Sequence, residues 1–252
     1  MIKTANFFNV GLYSPVEAAR YMRVPGRRLR RWVFGTQKAQ PVISPELGDF
    51  NGKQVVTFQD FVQALSVHDI RLNIGIPLTK IREAYKRAQQ IYGIENPFAI
   101  EHGIFVFGDR SKPEKCELGV YLHSQEKNVA EIAERNCVQL TGKNKDNQLI
   151  HEIVQHFSRR IKYETKAVSY EAFSKFGHRI LMEPDFRFGQ PYLEDFGYEA
   201  ATLADAARIE GSVRRAADLY EVPLTAVKAS IAYLKDLEKP PEHIQPRKIK
   251  AT

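Results

Sequence analysis

Six arginines, Arg20, Arg23, Arg27, Arg28, Arg30 and Arg31, fall within the stretch "SPVEAARYMRVPGRRLRRW" from Ser14 to Trp32, against a single acid, Glu17. Guanidinium groups this dense repel one another unless something anionic lies across them. Arginine's planar fork donates in pairs, to a phosphate or to the O6/N7 edge of guanine, so the chemistry on offer is recognition of a polyanion. The charge is local. The 252-residue chain has a formal net charge of +7, and from Ala18 to Pro45 there are six Arg, one Lys (Lys38) and no acid, which leaves the remainder close to neutral.

The surrounding residues specify the elements that hold these cations. Ser14 followed by Glu17 predicts a capping box, with Pro15 at the first helical position, and Val16, Ala19 and Met22 fall on one helical face. Arg23-Val24-Pro25-Gly26 breaks the helix, because proline lacks an amide proton and disfavours helix in the residue before it. A second short helix follows, with Leu29, Trp32 and Val33 spaced i, i+3, i+4 as its buried stripe. Two short helices across a tight turn, the second apolar behind and cationic in front, is how a helix-turn-helix presents itself to the major groove of DNA. On this reading Arg27, Arg28 and Arg31 contact bases, while Arg20, Arg23, Arg30 and Lys38 contact phosphates. One such unit reaches too few bases for a unique site, so a homodimer on a palindromic operator is expected.

Beyond the arginines, "NGKQVV" (Asn51 to Val56) predicts a hairpin beside this unit, a wing. Thr57 caps a helix carrying Phe58, Phe61, Val62 and Leu65. Another helix begins near Pro77 and carries Leu78, Ile81, Tyr85, Ala88 and Tyr92. Ile70-Arg71-Leu72, Gly75-Ile76-Pro77-Leu78 and Ile81-Arg82 resemble the element that follows the wing in MerR-like proteins, where an L-R-x-x-G-hydrophobic turn precedes a helix with an I-R pair. The resemblance covers about Tyr13 to Phe98 and implies a winged helix-turn-helix DNA-binding domain.

The middle of the chain changes character. "GIFVFG", "LGVYLH" and "HRILMEP" read as strands, and "NQLIHEIVQHFSRRI" as an amphipathic helix through Leu149, Ile153, Val154 and Phe157, which predicts a small mixed α/β module. The C-terminal part then echoes the opening stretch. "SVRRAADLYEVPLTAVKASI" (Ser212 to Ile231) aligns without gaps on Ser14 to Val33 at a constant offset of 198 residues. Ser212, Ala216-Ala217, Val222-Pro223 and Val227 match Ser14, Ala18-Ala19, Val24-Pro25 and Leu29. On the expected outer face, Arg27, Arg28, Arg30 and Arg31 are replaced by Thr225, Ala226, Lys228 and Ala229.

Phe188 to Leu234 is similar to the domain of unknown function 433, on Gly189-Gln190-Pro191, Glu210-Gly211-Ser212 and Ser230-Ile231-Ala232-Tyr233; Phe196-Gly197-Tyr198-Glu199 stands where that family has G-T-R-I. Members resemble VapB-type antitoxins, and larger ones carry an N-terminal MerR-like domain. The resemblance implies an antitoxin that represses its own operon and a PIN-domain ribonuclease toxin as its partner. The tail "KPPEHIQPRKIKAT" has three prolines and no apolar period, so it reads as an extended segment that orders on a partner. Its Arg247, Lys248 and Lys250 suit the acidic, metal-binding cleft of such a toxin.

Several other chemistries are excluded. His151 and His156 in "HEIVQH" lie five apart, roughly 140° around a helix, so they diverge where a zinc site needs convergence. "TGKN" has Cys137 where a phosphate loop requires glycine, and no G-x-S-x-G occurs. The acids Glu183, Asp185, Glu194 and Asp195 are scattered around a turn and read as solvated. Cys116 and Cys137 form no CxxC, and no signal peptide or long apolar run is evident, so a reducing cytoplasm and no membrane are expected. The reading is therefore a non-enzymatic α+β protein, mainly α, without metal or cofactor. It divides into a winged helix-turn-helix (1–98), a mixed α/β module (99–183), a helix-turn-helix-like three-helix domain (184–239) and a basic tail (240–252). The alternatives are a MerR-like regulator that responds to a small ligand and a protein-binding adaptor.

Overall fold

The computed structural model describes residues 10–100, 103–109, 112–121, 137–143, 145 and 160–240. The expected helix through Leu149 and Phe157, the histidines His151 and His156, and the tail with Arg247, Lys248 and Lys250 lie outside the described residues. The fold is mixed α/β, with small antiparallel sheets between helices.

Helix α1 (Pro15–Tyr21) starts on both bonds of its capping box. The Ser14 N–H donates to Glu17 Oε2 (2.8 Å) and the Glu17 N–H to Ser14 Oγ (3.2 Å). Its buried face is Pro15, Ala18, Ala19 and Met22. Val16 was expected on that face and is instead 67% exposed, because the stripe is centred one position further round the helix. Arg23 adopts a left-handed φ of 54°, closing a turn in which the Val24 N–H returns to the Ala19 carbonyl (3.0 Å). Helix α2 (Gly26–Val33) then buries Leu29, Trp32 and Val33, the expected stripe.

Strands β2 (Asp49–Phe50) and β3 (Lys53–Gln54) form the expected hairpin. Asn51 and Gly52 both have positive φ, as a tight two-residue turn requires. Strand β1 (Leu12–Tyr13) pairs with β4 (Val56–Thr57), closing this unit from both ends. Thr57 caps α3 (Phe58–His68) through a second capping box with Asp60. A π-helical turn, Asp69–Ile74, ends at Gly75 (φ 97°), where Arg71 donates to the Gly75 and Ile76 carbonyls before α4 (Leu78–Gln90) begins.

Strands β5 (Ile104–Phe107), β6 (Glu117–Tyr121) and β7 (Cys137–Gln139) make a sheet against α4. Strands β8 (Ile161–Tyr163), β9 (Ala167–Lys175), β10 (His178–Met182) and β11 (Tyr192–Leu193) make another, which runs across position 183 into the C-terminal part. This sheet stands between two cores. Ile161, Ala167, Tyr170 and Met182 join the core of α1 to α4, while Ile180 and Leu193 join that of α5 (Ala200–Ile209), α6 (Val213–Leu219) and α7 (Leu224–Glu238). No helix among the described residues is long and apolar enough to cross a membrane.

Gly189-Gln190-Pro191 joins the two halves. The Tyr13 hydroxyl donates to the Gly189 carbonyl (2.8 Å) and the Tyr21 hydroxyl to Gln190 Oε1 (2.7 Å). Any Cβ on Gly189 would lie 2.2 Å from the Tyr13 oxygen, so only glycine fits.

Candidate nucleic-acid interface

The two-helix unit of α1 and α2 is apolar within and cationic without. Arg20, Arg27, Arg30, Arg31 and Lys38 are exposed and Arg28 is half-buried, while Leu29 and Val33 beneath them have no exposed surface. Arg30 Nη1 donates to Gln54 Oε1 (3.1 Å), which ties the cationic helix to the β2–β3 hairpin. The exposed Lys53 follows the turn of that hairpin and extends the positive surface.

Arg82 of α4 was not among the expected site residues, although the sequence places it in the Ile81-Arg82 pair. Its Nε donates to the carbonyls of Gln40 (2.9 Å) and Pro41 (3.1 Å), bracing the loop that leaves α2. Burial and then the charge of Arg31 push its pKa below the ordinary arginine value.

Arg23 has a different setting. Its Nη1 lies 3.2 Å from Asp236 Oδ2 on α7, with the two side chains 23% and 21% exposed. The structure thus leaves Arg20, Arg27, Arg30, Arg31 and Lys38 exposed and Arg28 half-buried on α1, α2 and the loop beyond, and turns Arg23 toward the C-terminal helix.

The second copy reproduces the scaffold. Ser212 Oγ accepts from the Arg215 N–H (3.3 Å), Glu221 has a φ of 53°, and the Val222 N–H returns to the Ala217 carbonyl (3.0 Å). One expectation is corrected here. Ala226 and Ala229 stand where Arg28 and Arg31 stand in the first copy, but they are completely buried and form no outer face. Strands β9 and β10 pack on α7, and alanine's small side chain allows that approach.

His178 of β10 clips this contact in place. Its Nε2 lies 2.9 Å from Thr225 Oγ1 and its Nδ1 2.8 Å from Asp195 Oδ2. Sequence reasoning missed the arrangement, since the three residues share no local pattern. No group of three or more potential metal-ligating side chains occurs among the described residues.

The fold is similar to that of a solved structure. The X-ray crystal structure of Rv2018 from Mycobacterium tuberculosis is 19% identical, with a TM-score of 0.57 over 89% of this chain and 99% of that chain. At that identity the likeness is one of fold alone. No protein-family model and no curated protein sequence matches the chain.

Proposed function

We propose that this chain is a DNA-binding antitoxin that represses its own operon through a winged helix-turn-helix and neutralises a PIN-domain ribonuclease by protein binding. The observation that carries the DNA reading is helix α2. It buries Leu29, Trp32 and Val33 and leaves Arg27, Arg30 and Arg31 exposed, in a segment from Ala18 to Pro45 without an acid. Arg27, Arg28 and Arg31 are assigned to bases, and Arg20, Arg30 and Lys38 to phosphates, with Lys53 and Arg82 added from the structure. Arg23 contributes to DNA only if its ion pair with Asp236 opens. The antitoxin part rests on the resemblance of Phe188 to Leu234 to the domain of unknown function 433 beside a MerR-like unit.

The deciding measurement is binding of the purified protein to its own promoter as salt is varied. With four to six phosphates engaged, log K falls against log salt with a slope of about −4 to −5. Absence of salt-dependent binding ends the DNA reading. Sedimentation is expected to show a two-fold dimer on a palindrome, with half-sites about 34 Å apart or a multiple of that. A small PIN-domain reading frame overlapping this gene would support the antitoxin reading. In a co-purified complex, deletion of Glu242 to Thr252 is expected to release ribonuclease activity and leave operator binding intact. If inhibition survives the deletion, the tail with Arg247, Lys248 and Lys250 is idle and the toxin docks elsewhere.

A further inference from the structure

Away from the arginine surface, an acid, an imidazole and a hydroxyl stand in relay order. Asp195 Oδ2 lies 2.8 Å from His178 Nδ1, and His178 Nε2 lies 2.9 Å from Thr225 Oγ1. Three elements meet there: His178 opens β10, Asp195 follows β11, and Thr225 sits in the first turn of α7.

The acid fixes the direction of both bonds. An ionised carboxylate only accepts, so Nδ1 carries the ring proton and donates to Asp195. The neutral imidazole then has its lone pair on Nε2, and the Thr225 hydroxyl donates to it. A base therefore rests on the proton of an alcohol, at a separation within the roughly 2.6–3.2 Å that proton transfer needs.

The cluster is open to solvent. Thr225 is exposed, and the side chains of Asp195 and His178 are 49% and 12% exposed. Leu224, beside Thr225, is 42% exposed, and the Phe196 ring lies 5.7 Å from that of His178, so apolar surface borders the hydroxyl and its base.

Helix α7 adds the remaining part. Its N-cap is Pro223, which makes no side-chain bond to the helix. The Ala226 N–H returns to the Pro223 carbonyl (2.9 Å), and the N–H groups of Leu224 and Thr225 come too early in the helix to have an intrahelical partner. Negative charge that develops on a carbonyl oxygen held at Thr225 Oγ1 meets the N–H of the same residue and the positive end of the helix.

We propose that Thr225, His178 and Asp195 form an acyl-transfer site for small esters with an apolar group. Thr225 Oγ1 attacks the ester carbonyl carbon while its proton passes to His178 Nε2. The tetrahedral oxyanion collapses, the bond to the leaving alcohol breaks, and His178 returns the proton to that alcohol. Thr225 is left as an acyl ester, which water, giving its proton to the same nitrogen, hydrolyses to the free acid. Asp195 is a positioning residue that holds the ring in this tautomer. The activity stands independently of the DNA reading, since none of its residues lies on the arginine surface.

The test is incubation of the full chain with p-nitrophenyl acetate, with nitrophenolate release followed by absorbance and acetyl groups located by peptide mass mapping. Acetyl on Thr225 is expected, with release at least about a hundredfold faster than in Thr225→Ala or His178→Gln. Thr225→Ser, which keeps the hydroxyl, is expected to retain release. Asp195→Asn is expected to slow it by about tenfold or more, and Asp195→Glu to restore part of it. Acetyl groups on other residues only, or release undiminished in Thr225→Ala or His178→Gln, each overturns the proposal. The wild-type acetyl map decides even where a variant fails to fold. Promoter binding is scored separately, and Thr225→Ala is expected to leave it intact.

Discussion

The first two-helix unit, Ser14 to Val33, and the second, Ser212 to Ile231, share a serine cap, paired alanines, a left-handed turn residue and a Val-Pro step, yet they meet the rest of the molecule in opposite ways. In the first, the outer face of α2 carries arginines into solvent. In the second, the positions of Arg28 and Arg31 are Ala226 and Ala229, completely buried on a helix that packs against α5, β9 and β10. One scaffold therefore serves as a display surface in one place and as a packing surface in the other. Side-chain size at two positions separates the roles: an alanine lets a strand approach a helix, whereas an arginine keeps it away. The turns differ as well. Arg23 reaches Asp236 on the opposite unit's helix, and Tyr21 reaches Gln190, so the first unit leans on the second.

The comparison is most exposed to failure at the arginines. Arg28→Ala or Arg31→Ala is expected to abolish operator binding, since a dimer loses a base contact worth about 1–3 kcal/mol twice over. Fluorescence anisotropy on promoter DNA measures this, and thermal melts should show folding stability unchanged within about 0.5 kcal/mol. Lys228→Ala on the second copy should leave DNA affinity as it was. Retained binding in the arginine variants would mean that α2 is not the reading helix.

The reverse substitution tests the packed face. Ala229→Arg places a cation where no surface is exposed and is expected to destabilise the chain by about 3 kcal/mol or more, with no gain in DNA affinity. Urea unfolding gives the answer, and a well-folded Ala229→Arg protein would show that β9 and β10 do not hold α7 as described.

A smaller effect belongs to the contact between units. Arg23→Ala is expected to cost about 1 kcal/mol, the upper range for a partly exposed ion pair, and Asp236→Ala about the same. A double-mutant cycle isolates the coupling. A value indistinguishable from zero would mean that this ion pair does not hold the first unit against the second.

The mildest test is a pH dependence inside the first half. Burial pushes the Asp60 carboxyl up to about 6 from an ordinary 3.8, against the opposing pull of bonds from the Thr57 and Glu46 N–H groups. Between those values the folded chain holds a proton that the unfolded chain has released. This group therefore adds stability as pH falls through that window and contributes none of it above pH 6. Comparing urea midpoints at pH 5 and pH 7 in wild type and Asp60→Asn isolates the term. The wild type should gain more on acidification than the variant.

What the sequence determined by itself was local. The Ser14–Glu17 capping box, the Thr57 cap, the Pro-Gly break, the Leu29, Trp32, Val33 stripe, the Asn51-Gly52 hairpin and the helix start near Pro77 are each fixed by groups a few residues apart, and each appears at its expected place. The cationic character of α2 was legible for the same reason: a short helix with one apolar stripe has nowhere else to put four arginines. Whether a helical face meets water or a strand was decided by the tertiary structure alone. Val16 was misplaced by its helical period, and Ala226 and Ala229 by their alignment on the first copy, because neither period nor alignment says what arrives from elsewhere in the chain. The Arg23–Asp236 pair, the bonds from Arg82 to the Gln40 and Pro41 carbonyls and the His178 clip all join residues far apart in sequence: the first forms where one half docks on the other across Gly189 and the β8–β11 sheet, the other two where elements pack within a half.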